Sequence, residues 1–171
     1  MPYTYIVGGA SSGKSRYAMG IFEGRKDVSF IATGVRTDDE MANRIDAHRS
    51  ERPRTWETIE EPTRLIDAAR RANRDRDALI IDCLTMWVSN LCFMDQMSME
   101  DILSLAEKTA SFLAELDSEI VVVTNEIGMG IIPAEEESRE FRRTAGEVNR
   151  IFADRSNAAY LVVSGIGMRL K

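Results

Sequence analysis

The sequence predicts an α/β fold in which a mostly parallel sheet is flanked by helices. Short strand-like runs alternate with helix-periodic segments along the whole chain, the pattern of parallel strands joined by helical crossovers. The runs Ala78–Asp82 and Glu119–Thr124 are almost continuously hydrophobic, as strands buried on both faces must be. Each polar cluster of interest also follows a strand, where open α/β sheets bind their ligands. The 171 residues correspond to about one domain. No linker, repeat or low-complexity tract divides them, so residues 1–171 are expected to form a single domain.

The elements follow in order. Tyr3–Val7 is a short β-rich run, and Lys14–Glu23 is helical up to Gly24. Val28–Thr33 is the second strand. Thr37–Ser50 is a helix whose opening, Thr37-Asp38-Asp39-Glu40, has the form of a capping box, with Pro53 just past its end. Thr55–Glu60 forms a short strand, and Pro62 precedes a helix over Thr63–Asn73. Ala78–Asp82 is a strand. Leu84–Phe93 and Met99–Leu116 are helices, the second opening after Ser98. Glu119–Thr124 is the most hydrophobic strand, Ser138–Arg155 is helical and Ala158–Val163 is the last clear strand.

Composition narrows the function. Lys plus Arg is 22 and Asp plus Glu is 28, a formal net charge of −6. This balance argues against a dedicated nucleic-acid binder, which needs surplus cations to displace phosphate counterions, and against a polybasic membrane-surface protein. The two cysteines, Cys83 and Cys92, match neither a zinc site nor a disulfide framework; they suit buried thiols in a reducing compartment. The start of the chain has no basic segment ahead of an apolar one, so no signal peptide is expected. The longest uncharged apolar run, Cys83 to Met94, has twelve residues, too few to span a bilayer and suited to a buried helix. A cytoplasmic protein is expected.

Gly8-Gly9-Ala10-Ser11-Ser12-Gly13-Lys14-Ser15 fits the phosphate-binding pattern G-x-x-x-x-G-K-[ST]. Glycines let backbone N–H groups curl around phosphate oxygens, and the helix that follows turns its positive end to the same anion. Lys14 suits the β and γ phosphates, and the Ser15 hydroxyl suits Mg²⁺. Asp82 ends a strand, where a carboxylate completing the metal's surroundings belongs. It also stands where it could cap the helix from Leu84.

His48 is the only histidine. Met41, Ile45 and His48 share one helix face, which by itself suggests a partly buried ring finishing an apolar stripe. A neutral imidazole is also a competent nucleophile toward phosphorus. Arg44, Arg49 and Arg52 stand close by, as bidentate phosphate ligands would, or as a solvated helix face. Asn125-Glu126-Ile127-Gly128-Met129-Gly130-Ile131-Ile132-Pro133 follows a strand. It is either a tight loop packing Ile131 and Ile132 into the core or a loop facing substrate. Ser164-Gly165-Ile166-Gly167, after the last strand, could line the same crevice. The residues alone leave three functions open: a histidine-dependent nucleotidyl transfer, a phosphate-loop kinase of a small metabolite with a structural His48, and a non-catalytic nucleotide switch.

Gly8–Ser15, Thr33, Asp38-Asp39-Glu40-Met41, Arg44-Ile45, His48, Arg52-Pro53, Trp56, Thr124-Asn125-Glu126, Gly128, Gly130, Pro133 and Val163-Ser164-Gly165 recur, in that order, in one family. From Tyr5 to Lys171 the chain resembles the bifunctional adenosylcobinamide kinases / adenosylcobinamide-phosphate guanylyltransferases of cobalamin biosynthesis, which have a P-loop NTPase-like fold. The resemblance implies phosphorylation of adenosylcobinamide by ATP or GTP with Mg²⁺, then transfer of GMP from GTP to the new phosphate through a guanylylated histidine, here His48. It implies catalytic roles for His48, Lys14 and Asp82. Nucleotide contacts are implied at Gly8, Gly9, Ala10, Ser11, Ser12, Gly13, Lys14 and Ser15, at Thr33, Gly34 and Val35, at Arg49, Ser50, Glu51 and Arg52, and at Glu60 and Asp82. Metal contacts are implied at Ser15 and Asp82, and a homotrimer is implied as the assembly. Ser11 stands where members often carry arginine, and some members have glutamate in place of Asp82. The Met- and Trp-rich segment Cys83–Met94 would pack in the core or meet the corrinoid or a neighbouring subunit.

Overall fold

A row of alternating side chains runs through the centre of the sheet and explains how the chain layers itself. In the computed structural model, which describes residues 3–171, the strands are β1 (Thr4–Gly8), β2 (Val28–Ala32), β3 (Glu57–Glu60), β4 (Ala78–Asp82), β5 (Glu119–Asn125), β6 (Ala158–Val163) and β7 (Ile166–Arg169). The helices are α1 (Lys14–Ile21), α2 (Asp39–Ser50), α3 (Leu65–Ala72), α4 (Leu84–Phe93), α5 (Met99–Glu115) and α6 (Glu136–Arg155). All seven strands form one sheet in the order β3-β2-β4-β5-β1-β6-β7. Pairing is parallel everywhere except at β6–β7.

Successive strand residues face opposite sides. Tyr5, Val7, Leu79, Ile81, Ile120 and Val122 point into a core closed by α3 to α6, with Trp87 and Phe152 at its centre. Ile6, Ile80, Val121 and Val123 point the other way, onto Ala18 and Phe22 at α1 and onto Trp56. Burial on both faces is why these strands read as unbroken apolar runs. The Trp87 indole N–H donates to the Thr63 carbonyl at 2.7 Å, so the largest buried side chain leaves no polar atom stranded.

Three local expectations are corrected. Thr37 is not the cap of α2. The cap is Asp38, whose Oδ1 accepts from the Met41 N–H at 2.8 Å, while Thr37 donates to the Asp38 carboxylate. Asp82 does not cap α4; the cap position belongs to Cys83 and has no side-chain hydrogen bond. Ile166 and Gly167 do not continue a loop but begin β7. Ser164 and Gly165 both take positive φ, 51° and 79°, giving the two-residue hairpin turn whose twist matches its strands. Gly167 has no room for a β-carbon, because the Tyr17 ring lies against it.

Candidate active site

The phosphate loop is built to shape before any ligand arrives. Gly13 sits in the left-handed region at φ 88° and hands the chain directly into α1. A β-carbon on Gly8 would lie 2.5 Å from the Val162 carbonyl oxygen and 2.6 Å from Ser12 Oγ, and one on Gly13 would lie 3.0 Å from Gly165 Cα. Larger residues at either place would push the loop off its neighbours. The Gly165 N–H donates to the Ser12 carbonyl at 2.8 Å, so the β6–β7 turn braces the loop from behind. Lys14 Nζ donates to the Gly9 carbonyl at 2.9 Å, folding the lysine over the loop. Burial lowers the pKa of Lys14 and the Asp82 carboxylate opposes that shift. The first turn of α1 has neither an acidic residue nor a side-chain cap, which leaves its N–H groups open to an anion.

A cleft of about 800 Å³ opens over this loop at the carboxyl ends of the strands. Ala10, Ser11, Ser12, Gly13, Lys14 and Ser15 form one wall. Asp82, the last residue of β4, reaches the floor and makes no ion pair or side-chain hydrogen bond among the described residues. Thr33 does not line the cleft. Fully buried behind it, its hydroxyl donates to the Cys83 carbonyl at 2.8 Å and accepts from the Cys83 N–H at 2.9 Å. Its own N–H donates to the Asp82 carbonyl at 3.1 Å, so Thr33 fixes the strand end that presents Asp82. Cys83 is buried, and burial beside Asp82 pushes its thiol up to about 12.

Another wall is α2, which buries none of its residues. Its apolar stripe therefore does not finish a core. Met41, Ile45 and His48 line the cleft together with Arg44, and a β-carbon on Gly34 would lie 3.5 Å from Ile45 Cδ1, in ordinary contact. His48 is half-buried and makes no hydrogen bond among the described residues. Arg49 pairs with Glu60 at 3.2 Å and Glu51 with Arg16 at 3.5 Å; all four line the cleft. Arg52 stacks over the Phe30 ring at 3.7 Å and donates to Thr58 Oγ1 at 3.2 Å. Its Nε is buried without a partner. Among the sequence-predicted residues, Gly8, Gly9, Val35 and Ser50 do not line this cleft; the Ser50 hydroxyl is spent on the Ala47 carbonyl.

The loop after β5 divides. Asn125 and Ile127 line the cleft, whereas Met129, Ile131 and Ile132 point to solvent, Ile131 at 97% exposure. Ile131 and Ile132 are thus not core residues. Arg142 donates to the Gly128 and Ile131 carbonyls, and Arg139 to those of Pro133 and Ala134. These bonds hold the loop by its backbone and free its apolar side chains. Sequence reasoning missed Arg16, Tyr17 and Met86 in the cleft. It also missed Asn149, whose one signal was an amide on the mostly apolar buried face of α6.

Comparison with known proteins gives the family. A family model described as cobinamide kinase / cobinamide phosphate guanyltransferase matches residues 4–170. The chain belongs to that family. The bifunctional adenosylcobalamin biosynthesis protein CobU of Escherichia coli K12 is 36% identical over 177 residues, covering 97% of this chain and 98% of the relative. The bifunctional adenosylcobalamin biosynthesis protein CobP of Pseudomonas aeruginosa is 39% identical over 167 residues, covering 97% and 95%. A solved structural-project protein from Pyrococcus horikoshii OT3 covers 99% of this chain and 86% of its own at a TM-score of 0.56 and 5% identity, a likeness of fold alone. The cobinamide kinase / cobinamide phosphate guanyltransferase family is one of cobalamin biosynthesis, and membership gives the chain both activities, kinase and guanylyltransferase.

Both reactions handle phosphates, and the donor set of the cleft fits Mg²⁺. Ser15 and Asp82, both lining the cleft, offer hard oxygens. No cluster of three metal-ligating side chains exists among the described residues.

Proposed function

We propose that one cleft performs both transfers, with the phosphate loop as the kinase apparatus and His48 as the carrier of GMP. In the first reaction the hydroxyl of adenosylcobinamide takes the γ-phosphoryl group of ATP or GTP and a nucleoside diphosphate leaves. Backbone N–H groups of Ala10 to Ser15 and the Lys14 ammonium hold the phosphates where charge develops during transfer. Ser15 and Asp82 would hold Mg²⁺, which when bound neutralises phosphate charge.

In the second reaction a ring nitrogen of His48 attacks the α-phosphorus of GTP. The bond to the bridging oxygen breaks and pyrophosphate leaves. Adenosylcobinamide phosphate then attacks the same phosphorus, the N–P bond breaks, and adenosylcobinamide-GDP is released with His48 restored. Two easier displacements replace one. Arg44, Arg49 and Arg52 suit the phosphate charges on this side. The observation that carries the proposal is that the lone histidine and the phosphate loop line one cleft. A kinase with a structural His48 needs that ring among core neighbours, and α2 buries nothing. The family resemblance also implies a homotrimer, and the enzyme's two unpaired cysteines suit the cytoplasm.

The test is His48→Ala. The variant is expected to phosphorylate adenosylcobinamide at a rate within about 3-fold of wild type while losing guanylyl transfer by about 10³-fold or more, on the scale of losing a covalent nucleophile. Wild-type formation of the GDP adduct by this variant would refute the covalent route.

A further inference from the structure

β5 lies between the strand of the phosphate loop and the strand of Asp82, so its last residue is delivered between them. Asn125 is in register with Gly8, and Val123 is in register with Asp82. Asn125 therefore stands two residues, about 7 Å, further out along the sheet than Asp82. Its backbone is clamped on both sides. The Asn125 N–H donates to Thr85 Oγ1 at 2.9 Å, and the Asn125 carbonyl accepts from Asn149 Nδ2 at 3.0 Å. Behind these, the Thr124 hydroxyl donates to Asn149 Oδ1 at 2.8 Å and meets Thr85 Oγ1 at 3.1 Å. Thr85, Thr124 and Asn149 are all buried.

The side chain is treated differently. Asn125 lines the cleft, its Oδ1 is buried with no hydrogen-bond partner, and its Nδ2 has only a 3.8 Å approach to the Cys83 sulfur. A saturated network thus holds an amide whose own acceptor is unused. Buried acceptors without partners are uncommon and costly, and an unused acceptor beside a phosphate loop calls for a donor. Phosphate oxygens cannot be that donor, but the alcohol of the kinase substrate can.

We propose that Asn125 binds the acceptor alcohol of the kinase reaction, its Oδ1 accepting the O–H hydrogen bond and so turning an oxygen lone pair toward the γ-phosphorus. As that oxygen bonds to phosphorus, the β–γ P–O bond breaks, the nucleoside diphosphate leaves with the electron pair, and the hydroxyl proton departs on the oxygens of the product phosphate. The role belongs to the first transfer only, because the nucleophiles of the second are an imidazole and a phosphate. It rests on the cleft being the nucleotide site.

The experiment compares wild type, Asn125→Ala and Lys14→Ala in three assays: ATP binding by calorimetry, phosphorylation of adenosylcobinamide, and guanylyl transfer to adenosylcobinamide phosphate. Asn125→Ala is expected to lower kinase kcat by about 10–100-fold, the range for a misoriented nucleophile, and to raise KM for adenosylcobinamide. ATP affinity and guanylyl transfer should stay within about 3-fold of wild type. Loss of both transfers together would mean a structural residue and would overturn the proposal, as would an unchanged kinase rate. Lys14→Ala reports on the cleft. If it binds ATP as tightly as wild type, the cleft assignment fails; if it loses ATP while Asn125→Ala keeps its kinase rate, only the role of Asn125 fails.

Discussion

Arg52 shows how much a single side chain can be committed to a site. Its guanidinium lies flat on Phe30 at 3.7 Å, keeps one hydrogen bond to Thr58, and leaves Nε without a partner. No carboxylate lies within ion-pair distance of it among the described residues. Burial lowers its pKa, yet a guanidinium stays charged across the working range, so this is a half-buried cation beside the cleft, which the proposed function pairs with a nucleotide phosphate. Lysine could keep the charge but not the stacked plane. Arg52→Lys is expected to weaken GTP binding by about 10-fold, or ~1.4 kcal/mol, measured by calorimetry. The two thiols should separate chemically. Cys83, pushed up to about 12, stays protonated and unreactive at pH 8, whereas half-buried Cys92 is labelled by a maleimide; Cys83 joins only after unfolding. Because the folded state holds the Cys83 proton more tightly than the unfolded chain, whose thiol titrates near 9, this group's stabilisation is complete below about pH 9 and is lost as pH rises toward 12. Urea midpoints at pH 7.5 and 10.5 should fall accordingly, and Cys83→Ala should fall less. These residue-scale facts were only partly legible. The phosphate loop is readable because each of its residue types has one physical job. Thr33 is not, because its side chain serves a strand about fifty residues away in sequence, and no local pattern marks that bond.

At the scale of elements, α2 is the exception in an otherwise well-packed molecule. Its Met41, Ile45, His48 stripe has the spacing of a core helix, yet the stripe lines an open cleft. Periodicity reports which residues share a face; it cannot report whether the facing surface is protein or ligand. Ion pairs hold the helix instead: Arg36 with Asp46 within its own approach, Arg49 with Glu60, and Glu51 with Arg16 just past its end. Exposed pairs of this kind hold weakly and are screened by salt. Amide exchange of α2 should therefore outpace that of α5 and α6, and the gap should widen in 1 M NaCl; equal protection would mean tighter docking than the contacts provide. The loop after β5 gives the reverse lesson. Ile131 and Ile132 look like core residues by composition, but Arg139 and Arg142 of α6 grip the loop's carbonyls and turn them outward. Ile131→Ser should leave stability within about 0.5 kcal/mol, whereas Trp87→Ala should cost about 3–5 kcal/mol, both read from urea unfolding. Most element boundaries were legible to within two residues because runs of period 2 and period 3.6 alternate cleanly. β7 was not, because its glycine and exposed apolar residues resemble a loop until the β6–β7 turn is seen.

On the scale of the whole molecule, strand order does the assembling. β1 sits between β5 and β6, and β4 lies one strand further along. The phosphate loop, Asp82, Asn125 and the Ser164–Gly165 turn thereby converge at one edge from positions scattered across 158 residues of sequence. α2 crosses over that edge and closes the cleft with His48. A fold that needs only parallel strands and helical connections thus brings the phosphate-loop motif and the His48 ring to one cleft, the juxtaposition on which the proposed pair of transfers depends. The most direct measurement is to incubate the enzyme with GTP labelled at the α-phosphate, denature it, and map the label. One equivalent or less of acid-labile, alkali-stable GMP on a peptide containing His48, absent in His48→Ala and discharged by adenosylcobinamide phosphate, is the predicted result. Label on another residue, or none while the GDP product still forms, would contradict the account.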